Sequence, residues 1–169
     1  YAGAYFNEYR AGDVTISFNP DIRPYNYDMF AGVNYEIDIS NPVGARIVNL
    51  EFDGKPLEAD TELVVALDNS RYGALLGMDL LNEDDVVFDS TIDLADTPAV
   101  RDLISVYVQE MGGELEPVCD NNWRIVGADL EDPDKDLIYE MLMSGELEVP
   151  VSEDGRPPNI RSINANALR

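Results

Sequence analysis

The sequence predicts an α+β fold, a mixed β-sheet flanked by helices, on three observations. Residues 33–40 alternate, with Val33, Tyr35, Ile37 and Ile39 on one side and Asn34, Glu36, Asp38 and Ser40 on the other. That is the period of a half-buried strand. Asp53-Gly54, set between apolar runs, is a strong hairpin signal. Further on the period changes: Val100, Leu103, Ile104, Tyr107, Val108 and Met111 form one stripe at the spacing of an amphipathic helix.

Taken along the chain, "YAGAYFNEYRAGD" spaces Tyr1, Tyr5, Phe6 and Tyr9 as a helix does and runs into Gly12. It is expected to be the last turns of a helix whose beginning is missing, with an exposed apolar side. Residues 23–32 do not alternate. They set Tyr25, Tyr27 and Phe30 around Asn26 and Asp28, with a Pro before and a Gly after, as an irregular approach to the first strand. "ARIVNLEFDGKPL" puts Val48, Leu50 and Phe52 on one face, and "ELVVALDN" and "DVVFDS" are short apolar runs suited to buried strands. The expected sheet has about four or five strands. Asp96 or Thr97 is expected to cap the helix that follows, with Pro98 in its first turn and Gly112 at its end. "NNWRIV" returns to the sheet, Asp132-Pro133 opens a shorter helix that ends at Gly145, and the remainder is an extended, Pro-rich tail.

Composition narrows the function. The 169 residues suffice for one domain with a proper core, and 45% are apolar. Lys and Arg number 11 against 34 Asp and Glu, a net charge of −23 that repels phosphate backbones and anionic membranes. A nucleic-acid polymer is therefore not an expected partner. The chain has no His, which removes the commonest general base and transition-metal ligand and leaves no Ser or Cys triad to build. Its single Cys119 permits no internal disulfide. No apolar run approaches the ~20 residues of a membrane span. A chain that starts at Tyr1 rather than Met is expected to be a piece of a longer one.

No short motif supplies chemistry. Glu83-Asp84-Asp85 lacks the ligand series of a calcium loop and reads as a solvated turn; Gly73 and Gly77 lack the Lys-Ser/Thr of a phosphate loop. What remains is a set of aromatic and polar side chains at expected strand ends: Tyr25, Asn26 and Tyr27 before one, and Asp68, Asn69, Arg71 and Tyr72 after another. Two rings from separate loops can sandwich a flat ligand while amides and an Arg read its edges. The plainer role for Tyr25 and Tyr27 is to cover the edge of the core.

Four segments, "YNYDMFAGVNYEIDIS", "RIVNLEFDGKPL", "VVALDNSRY" and "CDNNWRIVG", resemble in order and spacing the C-terminal domain of the 5′-nucleotidase superfamily. The likeness is greatest to its bacterial bifunctional 2′,3′-cyclic-nucleotide 2′-phosphodiesterase/3′-nucleotidase branch. The resemblance implies a 5′-nucleotidase C-terminal domain-like fold, truncated at its N-terminus. Residues 1–127 would be the nucleoside-binding domain, and residues 128–169 a helix plus an extended extension packed on it. It implies a partner, an N-terminal metallophosphoesterase domain of the same parent chain, which holds two divalent metal ions and performs the hydrolysis. This chain would need no cofactor and would be inactive alone. Tyr25 or Tyr27 would then stack on a nucleoside base, with Asn26 at its edge. Asn69 and Arg71 match the second motif, where Ser70 replaces the family's usual Tyr and Tyr72 is the nearby aromatic. An extracellular or cell-surface location follows from the same resemblance. A binding or surface-interaction domain that kept the fold and lost the nucleotide is the alternative.

Overall fold

The structure, a computed structural model, describes residues 3–19, 21–94, 96, 98–129, 134–148 and 163–164. Chain contacts divide it into two compact units, one made of Tyr1–Ala59 and Asp120–Arg169 and the other of Asp60–Cys119.

The first unit holds a mixed four-stranded sheet: β1 (Asn34–Asp38), β2 (Ile47–Phe52), β3 (Lys55–Pro56) and β4 (Trp123–Val126), in the order β3-β2-β1-β4. β2 and β3 form the expected hairpin across Asp53-Gly54, both of which have positive φ, at 51° and 71°. β4 runs parallel to β1, with Tyr35 beside Trp123 and Ile37 beside Ile125. The alternation of residues 33–40 is realised: Tyr35, Ile37 and Ile39 are buried, and Ile37 is fully enclosed. Burying an isoleucine side chain contributes about 1.5–3 kcal/mol, so this central strand anchors the unit.

Two expectations in this unit are corrected. The shared face of Val48, Leu50 and Phe52 does not form, because β2 carries a bulge at Asn49, in the left-handed region at φ 51°. The extra residue makes Ile47 and Leu50 the inward pair and leaves Phe52 exposed. Likewise the N-terminal segment is not helical. Among its described residues it makes a turn and then an extended stretch, in which Phe6 bridges Phe18 antiparallel, the Asn7 amide donates to the Ser17 carbonyl at 2.9 Å and the Asn19 amide to that of Tyr5 at 2.7 Å. Tyr5 and Phe6 are thereby buried against Ile37 and Ile39, so the exposed apolar side does not exist there. Arg46, itself buried, ties this segment to β2 by donating to the carbonyls of Gly3 (2.8 Å), Phe6 (2.7 Å) and Asn41 (2.9 Å).

The same unit contains α4 (Asp134–Ser144), followed by Gly145 at φ 76° as expected. Ile138 of α4 packs with Val14 in a second small core that includes Leu142, Leu147 and Ile163. Asp132-Pro133, Thr97 and Tyr1 lie outside the described residues, as does the tail except Ile163 and Asn164, where Asn164 bridges Asp13.

The second unit holds α1 (Asn69–Gly77), a short α2 (Ser90–Asp93) and α3 (Val100–Glu110). The 62–69 and 85–90 segments are not strands. In the first, the Asp68 carboxylate accepts the amides of Ser70 (2.8 Å) and Arg71 (2.9 Å), which starts a helix where a strand end is expected. In the second, Asp89 caps α2 in the same way through Thr91. Helix α3 forms over the expected residues and stops at Gly112, φ 88°. Its cap is Ala99, not Asp96, and its stripe is exposed at Val100, Ile104, Tyr107 and Met111. Glu83–Asp85 is an exposed 3-10 turn in which the Asp85 carboxylate accepts the Asn82 amide at 2.7 Å, the solvated turn expected.

Candidate functional site

The candidate residues fall into two groups, one in each unit. Tyr25 and Asn26 lie in a 3-10 turn, Pro24–Asn26, whose Pro fixes the first φ and needs no amide partner. The turn closes through the Asn26 amide to Arg23 (2.8 Å) and the Tyr27 amide to Pro24 (3.1 Å). Tyr25 is 81% exposed, whereas Asn26 and Tyr27 are half-buried. Tyr27 stacks on Tyr5 (centroids 4.5 Å apart, planes at 22°) and on Phe18 (5.4 Å, 9°). Phe6 joins the same group, 4.7 Å from Tyr5 and 5.2 Å from Phe18. Burial raises the pKa of the Tyr27 phenol and, with Tyr35, Asp28 and Tyr27 nearby, pushes that of Tyr5 up to about 12. The adjacent tyrosines therefore differ: Tyr27 serves as footing in the core, and Tyr25 projects from it.

Asn69, Arg71 and Tyr72 lie together in the first turn of α1, with Asn69 exposed and the other two half-buried. They sit on a helix rather than at a strand end, because Asp68 caps that helix. The Asp-Asn-Ser run ahead of Arg71 is a capping signal that could have revealed this. Sequence reasoning also missed the ring platform of Tyr5, Phe6 and Phe18, because the segment that supplies Tyr5 and Phe6 reads as a helix, and Phe18 joins them through its antiparallel bridge to Phe6.

A cavity of about 360 Å³ in the first unit is lined by Phe6, Asn7, Glu8, Asn19, Ser40, Pro42, Val43 and Arg46. None of the candidate residues lines it. Burial lowers the pKa of Arg46, whose donors already serve backbone carbonyls. Among the described residues no group of three or more Cys, Asp or Glu stands where it could hold a metal ion, and no described helix is long and apolar enough to cross a membrane. The donor set for a two-metal site is not built by these residues.

A mixed four-stranded sheet with helices is the fold expected from the resemblance, and the comparison with known families bears that resemblance out. Residues 9–82, which include all six candidates, match the 5′-nucleotidase, C-terminal domain family model. Among curated proteins, the 2′,3′-cyclic-nucleotide 2′-phosphodiesterase/3′-nucleotidase of Salmonella typhimurium is 34% identical over 119 residues, 61% of this chain and 17% of its own. The protein of the same name from Yersinia enterocolitica is 31% identical over 128 residues (66% of this chain, 18% of its own). A trifunctional nucleotide phosphoesterase protein of Bacillus subtilis is 29% identical over 128 residues (69% of this chain, 8% of its own). The relatives are thus nucleotide phosphoesterases by name, and this chain spans less than a fifth of the length of each. No solved structure matches the chain.

Proposed function

We propose that this chain is the part of a two-domain, metal-dependent nucleotide phosphoesterase that binds the nucleoside. In this reading Tyr25 stacks on the base and Asn26 meets its edge. The resemblance also offers Asn69, Arg71 and Tyr72, in the second unit, as substrate-binding residues, to be tested separately from Tyr25. Hydrolysis belongs to an N-terminal metallophosphoesterase domain of the same parent chain, whose two divalent ions activate water and stabilise the transferring phosphoryl group. The parent acts outside the cell or at its surface in nucleotide breakdown.

The observation that carries the reading is the 81% exposure of Tyr25 on a short, closed turn inside the family-matched span. A ring held in water on a closed turn offers a face that a nucleoside base can stack on, worth about 1–3 kcal/mol per stacked base. Titration with adenosine, followed through the tyrosine ring signals by NMR, tests it. Tyr25 is expected to shift, and Tyr25→Ala is expected to abolish binding while the fold persists. Saturating adenosine that leaves Tyr25 and Tyr72 unshifted would overturn the reading.

The helical setting of Tyr72, beside Ser70 where the family's usual Tyr stood in the resemblance, favours the alternative of a surface-interaction domain that has lost the nucleotide. The parent reading frame separates the two. Intact metal ligands upstream support the enzyme, and degenerate ones support the alternative.

A further inference from the structure

We infer that Asn122 is a positioning residue for the aromatic loop, holding its backbone so that the side chains of Tyr25, Met29 and Phe30 keep one arrangement for a base; this rests on the base-binding reading above. Asn122 lies directly before β4, and its carbonyl accepts the Tyr35 amide at 3.0 Å. Its side-chain amide nitrogen donates to the carbonyl of Phe30 at 2.7 Å and to that of Val33 at 2.8 Å. An Asn amide has two such hydrogens, and both are engaged. On the other side of the same residue, the Phe30 amide donates to the Tyr35 hydroxyl at 3.2 Å. Phe30 is therefore fixed at its N–H by a side chain of β1 and at its C=O by a side chain next to β4.

Val33 packs against the core, but hydrophobic burial does not fix the residues before it. Met29, Phe30, Ala31 and Gly32 are all exposed, and nothing lies within 4 Å of where a Cβ on Gly32 would stand. At the other end of the loop, Tyr27 is held by stacking on Tyr5 and Phe18. The loop is thus fastened at both ends, by rings at Tyr27 and by a polar clamp at Phe30–Val33. Three large apolar side chains between and beside those ends remain exposed. A loop fastened in this way has paid its ordering entropy before a ligand arrives.

The test compares the full chain with Asn122→Asp, which keeps the shape but sets a carboxylate against two carbonyls, and with Asn122→Ser, which keeps one donor. Arg124→Ala, whose side chain meets Glu36 at the surface, is the control. Two readouts are needed: amide exchange at Phe30 against Ile39, and adenosine affinity. Asn122→Asp is expected to speed Phe30 exchange while Ile39 stays protected, and to weaken adenosine by about tenfold, the scale of one or two lost hydrogen bonds. Asn122→Ser is expected to lie between it and the control on both measures, and it decides the matter if Asn122→Asp also exposes Ile39. Unchanged Phe30 exchange would overturn the clamp. Binding within twofold of wild type, with faster Phe30 exchange, would overturn its role in recognition. Absence of adenosine binding in the wild type would overturn the base-binding reading and that role with it, leaving the exchange comparison to decide the clamp.

Discussion

Tyr5 and Tyr27 show how one polar atom changes what a buried ring contributes. Tyr5 is 1% exposed, and its hydroxyl finds no hydrogen-bond partner among the described residues, so the group is desolvated without compensation. Tyr5→Phe is expected to be neutral or to stabilise by about 1 kcal/mol at neutral pH. The pH dependence should also change. The folded phenol titrates at about 12 and the unfolded one near the ordinary 10, so the folded state keeps a proton that the unfolded state loses. Below 10 both states are protonated; between 10 and 12 stability falls as pH rises, by up to about 3 kcal/mol. Urea unfolding of both proteins across that window should show the wild type losing more stability than Tyr5→Phe, and equal losses would refute the assignment. Tyr27→Ala, which removes a half-buried ring stacked on two others, is expected to destabilise by about 1–3 kcal/mol, whereas Tyr25→Ala stays within about 0.5 kcal/mol. Thermal unfolding of the two variants separates footing from contact ring.

At the scale of elements, the tightest constraint lies where β4 ends. Gly127 has φ 78°, and a Cβ there would stand 1.9 Å from Asp38 Oδ1 and 2.9 Å from Ser40 Oγ. That carboxylate accepts the Ser40 amide (3.0 Å) and hydroxyl (2.6 Å) at the end of β1. Gly127→Ala must displace it and also hold a left-handed backbone, at an expected cost of about 2–4 kcal/mol in urea denaturation. A loss under about 0.5 kcal/mol would mean that the turn rearranges freely. Strand β1 was legible in the sequence because a half-buried strand writes its two faces into alternate residues. The hairpin was legible because Asp-Gly suits the two positive φ values it adopts. The bulge at Asn49 was not, since one left-handed Asn leaves no mark on the apolar pattern yet puts Ile47 beside Leu50 in place of Val48 and Phe52. The aromatic spacing of residues 5–9 misled for a related reason: the same i, i+4 recurrence serves a turn followed by an extended stretch, and only the pairing with residues 17–19 selects between them. Of the candidate site, the residues were legible but their roles were not. The difference between Tyr25 and Tyr27 depends on rings that are remote in sequence, and the Asn122 clamp spans about ninety residues.

For the whole molecule, charge and exposed apolar surface act against each other. The absence of His and of a metal-ligand group among the described residues leads to an expectation of no phosphoesterase turnover with added manganese, zinc or magnesium. Activity that co-purifies with the chain over repeated preparations would contradict it. The second unit exposes Val64 (83%), Val87 (74%), Ile92 (76%) and the stripe of α3, apolar side chains that contact with another copy would cover. Contact between two such surfaces removes that area from water, at about 25 cal/mol per Å² before the cost of association. Opposing it, a net charge of −23 makes each chain repel another over a Debye length of about 8 Å at physiological salt and about 30 Å at 0.01 M. Raising salt shortens the repulsion and leaves the apolar attraction in place. Light scattering is therefore expected to report a monomer near 0.01 M salt and a rising mean mass toward 1 M. Val64→Lys and Ile104→Lys, at two of the exposed apolar positions, should delay that rise. A mass that stays constant over the whole range would show that these side chains do not drive association even when the repulsion is screened.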